Sequence, residues 1–358
     1  MHVLFLEPFD GGSHREFVTG LREHSRHAIE VRSLPARLWK WRLRAAGLTL
    51  AQRVAHPERY ELVVATGLLD LAQVRAVWGA RTPPVLLYLH ESQVSYPVPP
   101  GGSAGAELLW RDVTNVAVAD HVVFNSEFHR TAFRTRLPEV IEQLPDEEAR
   151  PEVPPAELDR RSSVLYPGCR FEDTDLADAP DGPPVVIWNH RWEFDKDPGT
   201  FVDVLADVAR RGVPFGVALL GERLIPEPDA LVHARAALAD RIVFDGFPPR
   251  PEYLRQLARG SVVVSTGVQE NFGIAVMEAI HAGCMPLLPR RLVYPELIPL
   301  EHHERCLYDG PDDLVERLAR ELQSPGTGRD RWRRIAARHA WPRVIGAYDE
   351  LFETVARA

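Results

Sequence analysis

The chain contains little cysteine and has no long apolar run. Its cysteines are odd in number, lie at unrelated spacings and form no CxxC pair; they are Cys169, Cys284 and Cys306. Neither a disulfide framework nor a structural zinc site is therefore supported. No apolar run approaches the ~20 residues that a membrane-spanning helix requires. These absences argue against a disulfide-stapled secreted domain and against an integral membrane protein.

The amino terminus also lacks the features of a secretory signal. The first residues, MHVLFLEPFDGG, have no basic flank and only a short apolar run, and they soon reach Glu7 and Asp10. This pattern is typical of a first β-strand and not of a signal peptide. We therefore expect the mature chain to stay in the cytoplasm.

Acidic residues outnumber basic ones, but one segment is basic. The formal net charge of −9 argues against a general nucleic-acid binder, because the affinity of such a protein comes from neutralising phosphates. The segment RSLPARLWKWRLR nevertheless contains no acid and interleaves tryptophans with cations. Its candidate binding residues are Arg37, Trp39, Lys40, Trp41, Arg42 and Arg44. A local basic patch is compatible with the acidic total.

The length and the order of apolar runs predict two α/β domains. A chain of 358 residues exceeds the size at which a single core usually stops growing. Apolar runs alternate with helical stretches, which predicts parallel sheets covered on both faces. Strands of the first domain are expected near residues 2–9, 28–34, 61–66, 85–90, 121–126 and 162–168. Residues 139–159 interrupt the pattern with acids and prolines, which predicts a mobile acidic excursion.

The alternation restarts after residues 171–183, an acidic, proline-bearing stretch that we interpret as a linker. Strands are then expected near residues 185–190, 215–221, 241–247, 261–266, 284–289 and 306–308, followed by helices. The sequence predicts two Rossmann-like parallel-sheet domains, residues 1–170 and 184–340, facing across a cleft. Residues 341–358 are a C-terminal helix, for which packing on the first domain is one option. This is the GT-B arrangement.

Two segments of the second domain carry side chains suited to a nucleotide sugar. Arg191 and Lys196 follow an apolar strand in WNHRWEFDKDP, and Glu270 and Glu278 follow another in VVVSTGVQENFGIAVMEA. Because ligands of open parallel sheets bind at the carboxyl ends of strands, both segments should open onto one crevice. Two cations and the amino end of a helix suit a diphosphate, and two carboxylates suit sugar hydroxyls.

Each of these four residues also has a simpler interpretation. An Arg or a Lys after a strand is usually a solvated surface charge. The spacing of the two glutamates arises often by chance in a chain with 51 acids, and a solvated helix face would explain it. Their placement favours function, because Glu270 precedes a turn at Phe272 and Gly273 that begins the helix carrying Glu278.

The first domain carries candidate residues after its first and fourth strands. Glycines that open a helix let backbone N–H groups approach a ligand, although a tight strand-to-helix turn is the alternative. A histidine at the carboxyl end of a strand is a candidate catalytic residue, although a structural histidine is the alternative. The residues concerned are Gly11, Gly12, Ser13 and His14 on one loop and His90, Glu91 and Gln93 on the other.

Two DxD patterns, which bind a divalent metal in a different transferase fold, occur at residues 173–175 and 195–197. The first lies in the acidic linker, and the second brackets Lys196. No metal site is therefore predicted.

Several distinctive strings resemble one family. EPFDGGSH, LPARLWKWR, YLHESQVSYP, VVFNS, WNHRWEFDKDP and GCMPLLPRRLVYPE are together similar to tRNA-queuosine mannosyltransferases, over roughly residues 3–345. The two glutamates resemble the Glu, seven residues, Glu motif of retaining glycosyltransferases of the glycogen-synthase-like superfamily. Two positions depart from the family pattern: Ser92 stands where asparagine is usual, and Asn271 where an aromatic residue is usual.

The resemblance implies transfer of mannose from GDP-mannose, with retention of configuration, to the cyclopentene diol of queuosine at the wobble position of a tRNA, expected to be the aspartate tRNA. No metal or other cofactor is expected. The implied catalytic residues are Arg191, Lys196, Glu270 and His90. The implied donor-binding residues are Gly11, Gly12, Asn271, Phe272, Gly273 and Glu278, with Glu278 on the ribose. The implied acceptor residues are Ser13, His14, Glu91, Gln93 and the six of the basic segment.

The residues leave the mechanism and the acceptor open to alternatives. Because no carboxylate stands out as a nucleophile, we favour front-face substitution in which the leaving diphosphate takes the acceptor proton. Trp39 or Trp41 would stack on an anticodon base, but core tryptophans with solvated charges, or a membrane surface, would give the same pattern. The alternative functions are a retaining transferase for a lipid or polysaccharide acceptor and a non-catalytic nucleotide-sugar-binding module.

Overall fold

The structure, a computed structural model, describes residues 1–98, 101–102, 105–153, 155–172, 182–222, 226–324 and 328–358. The chain divides into two compact units. The first comprises Met1–Arg170 and His339–Ala358, and the second comprises Phe171–Arg338. The carboxyl-terminal residues therefore belong to the same unit as the amino-terminal half.

Each unit is built on a six-stranded parallel sheet. The first sheet contains β1 (His2–Asp10), β2 (Ala28–Pro35), β3 (Leu62–Thr66), β4 (Val85–Leu89), β5 (His121–Phe124) and β6 (Ser162–Val164). The second contains β7 (Val185–Trp188), β8 (Gly216–Leu219), β9 (Ile242–Asp245), β10 (Val262–Val264), β11 (Met285–Pro289) and β12 (Leu307–Tyr308). Each strand that the sequence predicts has a counterpart here.

Helices connect the strands and cover the sheets. They are α1 (Gly12–His24), α2 (Trp39–Gln52), α3 (Leu71–Trp78), α4 (Ala106–Val118), α5 (Glu127–Glu142), α6 (Pro155–Arg160), α7 (Pro198–Arg210), α8 (Asp229–Ala237), α9 (Arg250–Arg259), α10 (Ile274–His281), α11 (Tyr294–Leu297), α12 (His303–Cys306), α13 (Pro311–Gln323), α14 (Arg329–Ala336) and α15 (Trp341–Arg357). The predicted α/β class, with two Rossmann-like parallel sheets and a C-terminal helix, is confirmed.

The first sheet is parallel because its strands are apolar on both faces. All residues of β3 and β4 are buried. Successive residues of β1 point to opposite faces, so that Leu4 and Leu6 join one core while Val3 and Phe5 join the other. Such strands require helices on both sides of the sheet, and crossover helices between parallel strands supply them.

The last helix, α15, completes one of these two cores. Its Trp341, Tyr348 and Phe352 are fully buried with residues of α1 and of the first sheet. Gly20 of α1 allows this packing, because a Cβ atom at that position would lie 1.8 Å from Nε1 of Trp341. The C-terminal helix is therefore an integral part of the first unit.

We expect Gly20→Ala to lower the free energy of unfolding by about 1–3 kcal/mol, the usual cost of overpacking a core. The added methyl group meets the Trp341 indole, which is itself buried and has little room to move. Gly346→Ala in α15 is the matched control, because nothing lies within 4 Å of its Cβ position. The control should be neutral or slightly stabilising. Equal denaturation midpoints for the two variants would contradict the close packing of Gly20 against Trp341.

The order of strands in the second sheet reverses between two neighbours. Across the sheet the order is β12-β11-β10-β7-β8-β9. From β7 the chain adds β8 and β9 towards one edge of the sheet, and from β10 it adds β11 and β12 towards the other edge. Ligands of open α/β sheets bind outside the carboxyl ends of the strands at such a switch point. The loop after β7 carries Arg191 and Lys196, and the loop after β10 carries Glu270 and leads into α10, which carries Glu278.

Residues 139–159 differ from the predicted mobile excursion at both ends. Helix α5 continues to Glu142 and buries Val140, and α6 buries Leu158 in the same core. The high density of acids in this stretch hides these two apolar anchors from a compositional analysis. Of the predicted linker, residues 173–181 lie outside the described residues, and with them the first DxD pattern.

Candidate functional site

Lys196 and Glu270 meet at the switch point of the second sheet. The Lys196 Nζ atom lies 3.1 Å from Oε2 of Glu270 and 3.2 Å from Oδ2 of Asp195. It also donates to the backbone oxygen of Gln269 at 3.2 Å. The structure therefore brings together two of the residues that the sequence proposes for a nucleotide sugar.

Backbone contacts between the two loops cause this meeting. The carbonyl of Asp195 accepts hydrogen bonds from the amides of Val268 (2.9 Å) and Gln269 (3.2 Å). The Thr266 hydroxyl lies 2.9 Å from the carbonyl oxygen of Lys196 and 2.8 Å from that of Asp197. The short 3₁₀ turn Phe194–Lys196 is thus fixed against the segment after β10. A lysine on such a turn has a defined direction before any ligand arrives.

The environment keeps Lys196 charged. Burial lowers the pKa of Lys196, but the carboxylates of Glu270 and Asp195 raise it further, so that the pKa lies above its ordinary value. Only 13% of the side chain is exposed. A poorly hydrated and permanently protonated ammonium interacts more strongly with an incoming anion than a solvated one does.

Arg191 is held less firmly than Lys196. Its guanidinium lies 3.1 Å from the Glu193 carboxylate, and half of the side chain is exposed. The preceding residue, His190, is buried; burial and the charge of Lys196 lower the pKa of His190 to about 3. His190 is therefore neutral beside the cations. Sequence reasoning did not single it out, although it lies in the same apolar-strand motif.

Glu278 lies within a chain of polar contacts on α9 and α10. Its Oε1 atom is 2.6 Å from the Arg250 guanidinium, and its Oε2 accepts a hydrogen bond of 3.0 Å from the Tyr253 hydroxyl. Asn189 donates to Tyr253 at 3.0 Å and to the carbonyl of Ala275 at 2.6 Å. The carboxylate is thus fixed in direction and only 15% exposed. Sequence reasoning missed Arg250, Tyr253 and Asn189.

The amino end of α10 lies directly after Glu270. Gly273 adopts a left-handed φ of 83°, which is the region that favours glycine, and no side chain caps the helix there. Asn271 and Phe272 are buried, and the Asn271 side chain accepts from Gln269 at 3.0 Å. The first N–H groups of α10 and the positive end of its dipole therefore lie beside the carboxylate of Glu270.

The acids of the second DxD pattern are engaged in other contacts. Asp195 is buried against Lys196, and Asp197 caps α7 by accepting from the amide of Thr200 at 3.3 Å. Asp197 has a left-handed φ of 47°, which places it at the bend between the 3₁₀ turn and α7. These two aspartates shape the loop that carries Lys196.

In the first unit, three titratable side chains meet at the carboxyl ends of β1 and β4. Glu7 is fully buried, and its Oε2 lies 3.1 Å from Nδ1 of His14. The rings of His14 and His90 are 4.3 Å apart between centroids. Potential ligand atoms of the three residues lie within 4.8 Å of one another, so among the described residues they are a group that can accept a metal ion. Sequence reasoning missed Glu7, although an acid within an apolar strand is a signal.

The loop after β4 is fixed by buried polar side chains. Asp112 accepts hydrogen bonds from the Ser92 hydroxyl (2.9 Å) and from the amide of Gln93 (2.6 Å). Asn125 donates to the backbone carbonyl of His90 at 2.8 Å. The side chains of Glu91 and Gln93 are half-buried. The candidate residues of this loop therefore have a rigid backbone.

Between β1 and the first turn of α1, Gly11 is closely packed, whereas Gly12 and Ser13 border open space. A Cβ atom on Gly11 would lie 2.3 Å from that of Ala36, so Gly11 has a structural role. Gly12 has a left-handed φ of 54° with nothing within 4 Å of its Cβ position, and it begins α1. Ser13 is exposed. The tight-turn interpretation thus explains Gly11, while Gly12 and Ser13 border accessible space.

The basic segment is a surface and not a core. Trp39 is 42% exposed and Trp41 is 63% exposed. Each lies near a cation, with Lys40 Nζ 5.6 Å from the Trp39 ring centroid and Arg44 Cζ 5.6 Å from that of Trp41. Arg37 is exposed, and Arg42 is half-buried. The alternative of core tryptophans with solvated charges is therefore wrong.

The helices were compared with the length and hydropathy of a membrane-spanning helix. Across the described parts of the chain, none of them combines the length and the apolar character needed to cross a bilayer.

Comparison of sequences identifies relatives of this chain. A sequence model described as tRNA-queuosine alpha-mannosyltransferase N-terminal matches residues 2–169. The tRNA-queuosine alpha-mannosyltransferase of Drosophila melanogaster is 32% identical over 339 residues, which cover 90% of this chain and 88% of the fly protein. The similarity to the fly protein therefore spans both units.

Solved structures share the fold. HepE of Anabaena in complex with UDP and glucose is 17% identical, with a TM-score of 0.70 over 98% of this chain and 99% of that one. Sucrose-phosphate synthase of Thermosynechococcus elongatus is 14% identical, with a TM-score of 0.74 over 99% of each chain. At these identities the similarity concerns the fold alone, and it confirms the predicted GT-B class.

Proposed function

Because the chain belongs to the tRNA-queuosine alpha-mannosyltransferase family, we propose that it transfers mannose from GDP-mannose to queuosine in a tRNA. The proposed reaction retains the anomeric configuration, needs no metal, takes place in the cytoplasm and uses the wobble position of tRNA-Asp. The observation that carries this proposal is the 3.1 Å contact between Lys196 and Glu270 at the switch point of the second sheet. That contact places a cation suited to a diphosphate beside a carboxylate suited to sugar hydroxyls.

The second unit supplies a group for each part of the donor. Lys196 and Arg191 are proposed to hold the diphosphate, aided by the N–H groups at the start of α10. Glu270 is proposed to accept a hydroxyl of the sugar, and Glu278 the hydroxyls of the ribose. The fixed directions of Lys196 and Glu278 support these roles, because prearranged groups lose less entropy on binding. HepE, which shares the fold, was solved with UDP and glucose.

The proposed chemistry needs no nucleophile from the protein. The bond between the anomeric carbon and the diphosphate oxygen breaks while the acceptor hydroxyl attacks from the same face. The acceptor proton passes to the leaving diphosphate, whose developing charge Lys196 and Arg191 stabilise. Lys196 suits this part because its raised pKa keeps it charged across the physiological range. His90, at the end of β4, is proposed to contact the reacting sugar.

The basic segment is proposed to bind the tRNA. Exposed tryptophans beside cations suit single-stranded RNA, because bases stack on aromatic rings while Arg and Lys neutralise phosphates. Leu38, which precedes α2, is 70% exposed and has a left-handed φ of 54°. Such backbone strain on an exposed leucine persists at functional surfaces more often than elsewhere. Ser13, His14, Glu91 and Gln93 are the proposed contacts to the acceptor on the other loops.

We expect Trp41→Ala to weaken tRNA binding by about five- to tenfold, the lower part of the range for base stacking. The lower part applies because the Arg44 guanidinium already lies near the Trp41 ring. Leu48→Ala is the control, since Leu48 is an exposed apolar residue of the same helix that lies outside the proposed contact. A gel-shift titration with queuosine-containing tRNA measures both. Unchanged affinity in the Trp41 variant would exclude this ring from the interface.

An exposed basic helix with tryptophans also suits a membrane surface, which supports a second candidate function, glycosylation of a lipid acceptor. A sedimentation assay with anionic vesicles separates the two, using a variant in which Arg42 and Arg44 are replaced by Glu. If the variant loses tRNA binding and the parent protein does not bind vesicles, the result supports a tRNA acceptor. If the parent protein binds vesicles, the variant does not, and both bind tRNA equally, the result supports a lipid acceptor.

The decisive test is transfer itself. The protein is incubated with GDP-mannose and with tRNA that contains or lacks queuosine, and the digested nucleosides are weighed by mass spectrometry. We expect a hexose increment on queuosine alone, without added metal and in the presence of a chelator. Binding of donor with neither transfer nor slow hydrolysis would indicate a non-catalytic nucleotide-sugar-binding module. A hexose increment only with another nucleotide sugar would change the donor but keep the reaction class.

A further inference from the structure

Glu7 is a buried carboxylate that the proposed reaction does not use. It lies in β1 and has no exposed surface. Its Oε1 accepts a hydrogen bond of 2.8 Å from the amide of Phe9, and its Oε2 lies 3.1 Å from Nδ1 of His14. A buried carboxylate is costly unless it is paired and hydrogen-bonded. The contacts with Phe9 in β1 and His14 in α1 therefore offset the cost of burying Glu7.

The contact with Glu7 fixes both the ring and the charge of His14. A carboxylate at Nδ1 orients an imidazole and selects its protonation, leaving Nε2 directed away from the carboxylate. Burial lowers the pKa of His14, but Glu7 and, more weakly, Glu91 raise it further, so that the pKa lies above its ordinary value. The His14 side chain keeps 12% of its surface exposed. A ligand can therefore reach an oriented imidazole whose protonated form the Glu7 carboxylate stabilises.

His90 lies against His14, and its pKa is shifted in the opposite direction. Burial, the charge of His14 and then that of His129 lower the pKa of His90 well below its ordinary value. Phe17 and Tyr88 pack against the His90 ring, with centroids 4.8 Å away in each case. The backbone of His90 is held by Asn125. A ring whose protonated, donating form is stabilised by Glu7 thus lies next to a ring whose neutral, accepting form is favoured.

We propose that Glu7 is a positioning residue, which holds His14 so that His14 and His90 together bind two neighbouring hydroxyl groups of a substrate. One imidazole donates to the first hydroxyl oxygen, and the other accepts the proton of the second. Vicinal hydroxyls are present on the donor sugar and on the cyclopentene ring of the proposed acceptor. This inference rests on the proposed function, because it assumes that the carboxyl ends of β1 and β4 face a substrate. It revises the roles given above to the two histidines, since rings 4.3 Å apart are assigned to one substrate and not to the acceptor and the sugar separately.

The primary test measures the Glu7–His14 coupling without any catalysis. Histidines are labelled with ¹³C, and the resonance of His14, assigned from its loss in His14→Gln, is followed against pH. We expect Glu7→Gln to lower the pKa of His14, because the amide keeps the hydrogen bond from Phe9 but removes the charge. Asp10→Asn is the control, since Asp10 lies in the same strand as Glu7 but pairs with Arg15. An unchanged pKa in Glu7→Gln overturns the proposal.

The second test asks whether this coupling acts on substrate. With GDP-mannose and queuosine-containing tRNA, we expect Glu7→Gln to raise the KM of one substrate about tenfold at pH 8, as for a lost hydrogen bond to a charged group, and by less at pH 6. A rise for the donor alone assigns the hydroxyls to the sugar, and a rise for the tRNA alone assigns them to the acceptor. We expect the same change to have little further effect in a His14→Gln background. Additive losses in the double variant, or a loss equal at both pH values, indicate a structural role and overturn the proposal.

Two further results separate failure of this inference from failure of the proposed function. If the parent protein transfers no mannose but the His14 resonance shifts as expected, the coupling stands and the substrate assignment falls with the proposed function. If the purified parent contains one equivalent of a divalent metal that Glu7→Gln loses, the three residues are metal ligands, and the proposal is overturned. Equal thermal midpoints for parent and variant confirm that Glu7→Gln is folded.

Discussion

Replacing Lys196 by alanine should lower kcat by about 10²–10³-fold, the cost of removing one preorganised donor to a developing negative charge. Donor affinity should change much less, because the negative charge on the diphosphate grows only as the sugar leaves. In the variant, Arg191 and the N–H groups at the start of α10 would still bind the diphosphate of the intact donor. The substitution also leaves Glu270 and Asp195 without the cation that lies 3.1 and 3.2 Å from them. Turnover and donor Kd, measured separately by single-turnover kinetics and calorimetry, check this prediction.

The chain offers a matched control for this substitution. Lys40 and Lys196 are its only lysines, and Lys40 lies in the exposed basic segment. In an assay of slow donor hydrolysis without tRNA, Lys40→Ala should behave as the parent protein does while Lys196→Ala should be nearly inactive. A Lys196→Ala protein that is folded and retains parental turnover would remove Lys196 from the chemistry.

Much of the second unit could be predicted from sequence because its strands are simple. Strands β7 and β10 are wholly buried and consist largely of valine and isoleucine, so their positions, to within two residues at each end, and their parallel pairing follow from composition. Once the two strands are neighbours, the loops after them must share an edge of the sheet. The contact of Lys196 with Glu270 follows from that topology. What the sequence does not contain is the 3₁₀ turn that aims the lysine.

The partners of Glu278 could not be predicted in the same way. Tyr253 lies 25 positions away and Asn189 a further 64 positions before Tyr253. Tyr253 stands in no motif, and the string WNHRWEFDKDP that contains Asn189 does not indicate a contact with Tyr253. The packing of α9 on α10 brings Tyr253 to Glu278, and the end of β7 brings Asn189 to Tyr253. The exposure of Trp41 was equally open, because a tryptophan between cations fits both a core helix and a surface. Glu7 differs, since its burial follows from the strand but its partner depends on how α1 begins.

Replacing Glu278 by glutamine should raise the donor KM and Kd about tenfold or more while leaving kcat nearly unchanged. The reason is that ribose hydroxyls do not change during sugar transfer, so Glu278 would bind the ground state and the transition state equally. Hydrogen bonds to a charged acceptor contribute about 1.5–3 kcal/mol, which sets the size of the effect. Calorimetry with GDP-mannose, and with GDP alone, measures it. The two titrations should lose the same factor, because both ligands carry the ribose.

The contacts around Glu278 provide a graded control. Tyr253→Phe removes the 3.0 Å hydrogen bond to Glu278, but Glu278 keeps its charge and its 2.6 Å contact with Arg250. The loss of donor affinity in Tyr253→Phe should therefore be several times smaller than in Glu278→Gln. Arg250 retains a second partner, Glu172 at 3.0 Å, which limits the loss of stability in Glu278→Gln. A Glu278→Gln protein with parental donor affinity and reduced kcat would place this carboxylate in the chemical step instead of on the ribose. That result would reverse the assignment of the two glutamates, since Glu270 would then be the residue left to anchor the nucleotide.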